Sequence, residues 1–506
     1  MIRKPVIAIV PLGHWIYFQQ FPGLFEELNK KSQEFAGYFE DSSEIIITEY
    51  VDTVDKAFRV VQDLRAKDVD GIFMLLTTYL PSALAAPFAR YLEAPQILVG
   101  IQPLNHLDYG KCTTFMQLVN DDVCAMPEIA GVYPRLGRKM PPCLVAAAGQ
   151  KEQIRQKVRA YQRAIAAKAA FKYAQIGYLG HTYEGMYDMH TDPTAFFGTF
   201  GAHVKMLEMC ELAKWAEQVT PAMIEEKIRR IQETFSIQDP SVDPLTDYVQ
   251  KEDLEWSARM ACALDRLVQE NNLTALAYYY KGEDNNLYER MGAALIIGNT
   301  LLTSSGVPLA GEADLKTAAA MLIMNRIGGG GSFAELHPFD VEGNCVLVGH
   351  DGPHNIAISQ GKPVLRKLKK YHGKSGSGIG VEFSLKAGEI TMLSINVQQN
   401  GRFKLVAAAG ISQAGAIPQT GNTNTRVIVP GMEITDFLAK WCEAGPTHHL
   451  ALGVGNHLEE IRCFARLMDL DLEIVVKEQG EGRNAGTGFF DAAGFLPGHG
   501  FLDAQR

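Results

Sequence analysis

No apolar run in these 506 residues approaches the length of ~20 needed to span a bilayer, so no membrane-spanning helix is expected and a cytoplasmic protein is. The positive start MIRKPVIAIVPLGHW carries only the short run VIAIV before Pro11, too little for a signal segment, and reads as a first buried strand. No basic stripe is present: the net charge of -10 is spread along the chain, which argues against nucleic-acid binding. The cysteines, at 112, 124, 143, 210, 262, 345, 442 and 463, never form a CxxC pair and are expected as reduced core residues. No GxGxxG follows the first apolar run, so a dinucleotide is not indicated. The glycine run 328–331 lacks the GK[ST] ending of a phosphate loop. Internal repeats are absent, and 9% aromatic with 47% hydrophobic residues shows none of the bias of disordered or fibrous chains.

What is present is length for about three domains. From the N-terminus, VIAIV, EIIIT, GIFMLL and QILVGI alternate with helical patterns, among them Val54–Lys67 and a helix from Pro81. Such alternation predicts a parallel sheet with helices on both faces, whose ligands sit at the carboxyl ends of the strands, here Gly13-His14-Trp15, Thr77-Thr78-Tyr79 and Gln102-Pro103. A long helix over about 150–173 connects to a second α/β block containing QIGYLG, a helix over 253–269, LTALAYYY and a helix from Asp314. NCVLVG, GIGVEFSL, EITMLSINV, FKLVAAAG and TRVIVPG, parted by Gly-rich turns, then read as an antiparallel sheet or barrel, closed by a final αβ unit. The expected class is α/β: doubly wound domains at 1–175 and 176–330, then a mainly antiparallel, barrel-like β domain at 331–506.

Carboxylates and histidines recur at the edges of the apolar runs. Glu312, in PLAGEADLKTAA, precedes a helix that Asp314 can cap; it is either a first-turn acid serving the helix dipole or a ligand. Glu335 follows the glycine run and is either a solvated loop acid or a carboxylate carried close to a ligand. His350 ends CVLVG, where a strand delivers a side chain into a cleft or a loop carbonyl takes its proton. His448-His449 are consecutive, so their side chains are expected to diverge and one at most to serve the same ion. Two carboxylates and two imidazoles suit Mn²⁺, Co²⁺, Mg²⁺ or Zn²⁺. The separations of 23, 15 and 99 residues match no short metal motif.

Other features weigh differently. His181, Glu184, Asp188, His190 and Asp192 are dense in ligand-type groups but irregular, and read as a polar active-site loop. Tyr278-Tyr279-Tyr280 reads as core and rim of a strand. YHGKSGSG at 371–378, with Lys374, reads as a turn, and LRKLKKYHGK as a solvated basic face.

Taken as a set, AGEADLKTAA, GGGGSFAELHPFD, VLVGH and GPTHH resemble the L-arabinose isomerase family in order and spacing. HTYEGMYDMHTDP, ARMACALDRLVQENNLTALAYYYKGED and TTYLPSALAAPF extend the resemblance over most of the chain. It implies that Glu312, Glu335, His350 and His449 ligate a divalent metal, usually Mn²⁺, with Co²⁺ or Mg²⁺ as alternatives. It also implies that Glu312 and Glu335 act as the acid/base pair of an aldose–ketose isomerase, and that Tyr79, Gln117 and Tyr280 lie near the sugar. Two positions depart from the pattern: Gly13 precedes His14 where the family has Gln, and Asn120 stands where it has His. Both belong to the part that reaches a neighbour's pocket in family members, so the resemblance points to a sugar other than L-arabinose.

This reaction moves a weakly acidic proton between adjacent carbons, which paired acids can do while a metal offsets the charge of the enediolate. Epimerisation or a lyase step would use the same groups, and a sugar-binding protein without turnover would keep the scaffold alone. The resemblance further implies a homo-oligomer, trimer or hexamer, with pockets shared between subunits. On that arrangement, dilution to monomer abolishes turnover, read as activity against mass by light scattering; a fully active monomer would sink it.

Overall fold

Every residue of the strand Val6–Leu12 is buried, so this segment needs partners on both edges and cover on both faces. The computed structural model describes residues 3–240, 242–283, 286–352, 354–369 and 378–476. The strands β1 (Val6–Leu12), β2 (Glu44–Ile47), β3 (Gly71–Leu76), β4 (Gln96–Gln102) and β5 (Cys143–Ala147) form a parallel sheet in the order β2-β1-β3-β4-β5. Side-chain alternation divides its core in two. Val6, Ala8 and Val10 pack with Val60, Val61 and Leu64 of the helix Val54–Ala66. Ile7 and Ile9 pack with Phe35 of Leu24–Ala36 and with Ile154, Val158 and Ile165 of the long helix Lys151–Phe171.

A second parallel sheet uses β6 (Gln175–Gly180) and β7 (His203–Leu207), then, beyond the short strands β8 (Ser236–Ile237) and β9 (Thr246–Asp247), β10 (Leu273–Tyr279) and β11 (Leu309–Ala310). Its order is β11-β10-β6-β7. The helix Lys251–Glu270 packs into one part of its core through Leu254, Ala258 and Leu264. Into the other packs Leu315–Ile327, which buries Leu315 through Met324 and Ile327. A helix apolar on all sides belongs between two layers, and this one touches β10 and β11 of the second sheet as well as strands of a third.

That third sheet contains β12 (Ser332–Asp340), β13 (Cys345–His350), β16 (Gly388–Val397), β17 (Phe403–Gln413), β18 (Thr423–Ile428), β19 (His449–Val454) and β20 (Asp471–Ile474), while β14 (Val364–Leu368) and β15 (Ile379–Glu382) lie outside it. The order β16-β19-β12-β13-β18-β17 is antiparallel throughout and returns on itself because β16 also pairs with β17, giving a ring; β20 adds to β17 in parallel. β14 and β15 join β8 and β9 in a small sheet that ties the second segment to the last. All these elements belong to one compact unit, Met1–Val475. No described helix is long and apolar enough to cross a membrane.

The mixed α/β class is as expected from the strand and helix patterns, with three corrections of detail. Glu335 is not a loop acid: β12 runs through it, since the glycines end before Ser332 and Ser332 through Glu335 pair with Leu452 through His449. LRKL is not a solvated face: Arg366 is buried in β14 and forms a fork on Glu382 at 3.0 and 3.1 Å. The cysteines are free, but Cys124, Cys143, Cys210 and Cys442 are exposed. Cys143 lies on the edge strand β5, and Cys210 and Cys442 fall on the outward faces of amphipathic helices. Of the turn expected at 371–378, only Gly378 is among the described residues; Lys374 lies outside them.

Candidate active site

The site begins where β10 and β11 end and the buried helix starts. Glu312 and Ala313 both adopt left-handed backbone, at φ 56° and 58°, a conformation that costs a non-glycine residue on the order of 1–3 kcal/mol. It is held by the Ala313 N–H on the Tyr278 carbonyl at 2.9 Å and the Asp314 N–H on Gly311 at 3.0 Å. Asp314 then caps Leu315–Ile327 by accepting from the N–H groups of Lys316 and Thr317, each at 3.1 Å.

Register in the ring supplies the rest. Glu335 on β12 pairs with His449 on β19 and with Gly349 on β13, the residue before His350. Cross-strand neighbours share a face, so two distant segments deliver their side chains to one place. His350 Nε2 lies 4.0 Å from Glu335 Oε1, and His449 Nε2 lies 3.6 Å from Glu312 Oε2. Ligand atoms of Glu312, His350 and His449 lie within 4.8 Å of one another, as do those of Glu335, His448 and His449. Phe333 wedges both imidazoles, with ring centroids 4.6 Å from His350 and 4.3 Å from His449.

This donor set fits a divalent cation. The oxygen–nitrogen separations are too long for hydrogen bonds, and they suit donors placed around one ion with bonds of about 2.1 Å. His449 Nε2 is buried with no hydrogen-bond partner among the described residues. Burial alone would lower the His449 imidazole, but Asp314, Glu312 and Glu335 outweigh it and hold its pKa above the ordinary value. Asp314 is pushed up by burial and pulled down further by Lys316, His449 and Thr317, leaving it below the usual carboxylate range.

The six candidates nearest this chemistry fall into place unevenly. Glu312, His350 and Tyr280 line one cavity, together with Tyr278, Tyr279 and Lys281. Glu335 and His449 adjoin it through the contacts above. His448 does not diverge from His449 as expected: the ring centroids lie 3.8 Å apart with the planes tilted by 42°, because the chain turns into β19 only at His449. His14, Tyr79, Gln117 and Asn120 do not line that cavity; they gather at the carboxyl end of the first sheet. There the buried Lys31 donates to Thr77 O at 2.8 Å, Val119 O at 2.7 Å and Asp122 Oδ1 at 2.7 Å, fixing the loops that carry them. Asn120 accepts from Leu104 N–H at 2.9 Å and donates to Met116 O at 2.8 Å, and Tyr79 Oη reaches Glu128 at 3.5 Å. His14 Nδ1 is buried with no hydrogen-bond partner among the described residues. The space beside Gly13 is not open: a Cβ there would meet the Tyr50 hydroxyl, itself bonded to Thr77 Oγ1 at 2.5 Å.

Sequence reasoning missed Asp314 as anything but a cap, and also Phe333, Lys316 and the pairing of Asp188 with His448. The polar loop of 181–192 was a signal for the last of these, since Asp188 lies within it; its Asp192 caps the helix Pro193–Phe200.

Two carboxylates and two imidazoles meeting at a strained strand-to-helix turn and a ring of antiparallel strands give this α/β protein an enzyme-like site whose donors could hold a divalent cation. Residues 191–330 match the L-arabinose isomerase central domain and 330–471 the L-arabinose isomerase C-terminal domain. Among curated relatives, the L-arabinose isomerase of Aeromonas hydrophila is 22% identical over 80% of this chain and 81% of its own length. That of Saccharophagus degradans is 21% identical over 90% of this chain and 91% of its own. The sulfoquinovose isomerase of Alkalicoccus urumqiensis is 26% identical over 59% of this chain and spans 64% of that relative. The chain belongs to the arabinose isomerase-like family, and so to the aldose–ketose isomerases.

Two outcomes follow from this geometry. Gly13→Gln should destabilise the fold by about 1–3 kcal/mol in urea unfolding, and Tyr50→Phe should recover part of the loss; additive losses would show that the two positions do not meet. His354, buried with both ring nitrogens unpartnered among the described residues and packed edge-on to Phe383, is pushed by burial down to about 3. Its folded pKa lies below its unfolded value of about 6.5, so its stabilising contribution is present above that pH and lost as pH falls toward 3. His354→Leu should therefore flatten the fall of unfolding free energy between about pH 6 and 4 by up to about 1.4 kcal/mol per pH unit; an unchanged slope would refute the assignment.

Proposed function

We propose that the chain is a metal-dependent aldose–ketose isomerase working through an enediolate, with Glu312 and Glu335 as its acid/base pair. The observation that carries this is the meeting of Glu312, Glu335, His350 and His449 from the Glu312 turn, β12, β13 and the start of β19. These four would hold the ion, read here as Mn²⁺ with Co²⁺ or Mg²⁺ as substitutes; once bound, it would supply Lewis-acid stabilisation of negative charge on the sugar's O1 and O2.

The chain's own groups perform the rest. One carboxylate takes the proton from C2 of the open-chain aldose, the C2–H electrons become the C1–C2 double bond, and the C1 carbonyl electrons move to O1. The same carboxylate, its proton exchanging in part with solvent, delivers a proton to C1, while the other carries the O2–H proton to O1, so the ketose leaves with all atoms accounted for. Tyr279 and Tyr280 wall the cavity and keep water from the reacting carbons.

The substrate is an open-chain aldose, read here as other than L-arabinose because of Gly13 and Asn120. An aldose bearing an anionic group is a second reading, favoured by Lys281 and Lys369 in the cavity wall and by relatives named for sulfoquinovose. His14, Tyr79, Gln117 and Asn120 are read as serving the cavity of a neighbouring copy in a homo-oligomer.

Mn²⁺-loaded protein incubated in D₂O with a panel of aldoses, including L-arabinose and sulfoquinovose, tests the reading by NMR. Expected is ketose formation with deuterium beside the carbonyl, abolished by chelation and reduced at least about 10³-fold in the Glu312→Gln, Glu335→Gln double variant. Sugar binding without exchange or product would overturn it in favour of a non-catalytic role.

A further inference from the structure

The consecutive histidines at the start of β19 are each held from behind by an aspartate. His449 Nδ1 lies 3.1 Å from Asp314 Oδ2. His448 Nδ1 lies 2.7 Å from Asp188 Oδ2, and its backbone N–H donates to that same oxygen at 3.0 Å. In both rings the remaining nitrogen, Nε2, is buried with no hydrogen-bond partner among the described residues. An imidazole that gives its Nδ1 proton to a carboxylate has its lone pair on Nε2, the form a ligand must take.

A cation accompanies these acids. Lys316 is 0% exposed; its Nζ donates to Thr191 Oγ1 at 3.2 Å and stands 3.8 Å from Asp314 Oδ1. It lies within electrostatic reach of both Asp314 and Asp188. A buried carboxylate is costly without a cation beside it.

We infer that Asp314 is a positioning residue that fixes the tautomer and ring orientation of His449 for metal binding, with Lys316 as the cation buried beside it, and that Asp188 holds the ring of His448, which is not a ligand. This rests on the reading of Glu312, Glu335, His350 and His449 as ligands. The competing account makes Asp314 a helix cap and no more. The two separate cleanly, because Asn caps a helix about as well as Asp but gives an imidazole no carboxylate. Replacing Lys316 at the same time leaves no unpaired charge in the core.

The test is titration of the full-length, metal-free protein with Co²⁺, followed by calorimetry and by the visible d–d absorption of the bound ion, on the parent, Asp314→Asn/Lys316→Met and Asp188→Asn. Expected is a double variant that melts near the parent, binds Co²⁺ about 10–100-fold more weakly and shows altered bands. Asp188→Asn, which loosens His448 alone, is expected to keep Co²⁺ affinity within about threefold. A double variant with parental affinity and bands overturns the inference and leaves the ligand assignment standing. An equal loss in Asp188→Asn shows the network acting as one structural block and overturns it too. A parent that binds no Co²⁺, or binds it equally well after Glu312→Gln and Glu335→Gln, removes the metal reading and the inference together. Should the double variant not fold, Asp314→Ser keeps a capping oxygen that cannot span to His449, and the same outcomes apply.

Discussion

The architecture depends on burying the amino end of one helix. Leu315–Ile327 lies between the second parallel sheet and the antiparallel ring with nearly every side chain out of water, so its first N–H groups have no solvent to turn to. Asp314 answers that need with one oxygen, which accepts from Lys316 and Thr317, and uses the other for the Thr317 hydroxyl and His449. One carboxylate thereby ends a helix, anchors β19 to it and sets a site histidine. Burying that charge demands a counter-charge, and Lys316 is buried beside it for that reason.

The ring contributes what a helix terminus cannot, which is register. Pairing of β12 with both β13 and β19 places Glu335 opposite His449 and next to the end of β13, and a slip by one residue would turn Glu335 to the other face. Phe333, two residues earlier on the same face, fills the space between His350 and His449 and limits where either ring can go. The apolar packing thus sets the spacing of the polar groups. The strained turn at Glu312 and Ala313 completes the arrangement from the opposite side, its conformational cost met by backbone bonds to Tyr278 and Gly311.

The amino-terminal sheet is organised differently. Its polar residues at the strand ends are locked mostly to one another: Lys31 gathers three loop oxygens, Tyr50 and Thr77 share a hydroxyl bond, and Asn120 ties two backbone groups. The Tyr50 hydroxyl adjoins Gly13, so the small residue there makes room for a buried aromatic and does not widen a pocket.

Much of this was legible along the chain. The strands VIAIV, GIFMLL, QIGYLG and LTALAYYY, the helices they alternate with, and the antiparallel character of the last third follow from local periodicity, which is a property of neighbouring residues. Glu312, Glu335, His350 and His449 were open to selection as candidates because acids and imidazoles at the borders of apolar runs are costly unless used. Their convergence was not legible bottom-up, since it depends on pairings such as that of Glu335 with His449, 114 residues apart, and no local pattern encodes such a pairing. Nor were Asp314's second task, the close approach of the His448 and His449 rings, or the inward turn of Arg366 onto Glu382. By itself the sequence determined which segments become strands and helices and which side chains can do chemistry; the tertiary structure alone decided which of them meet, because register and burial are set by contacts between segments far apart in the chain.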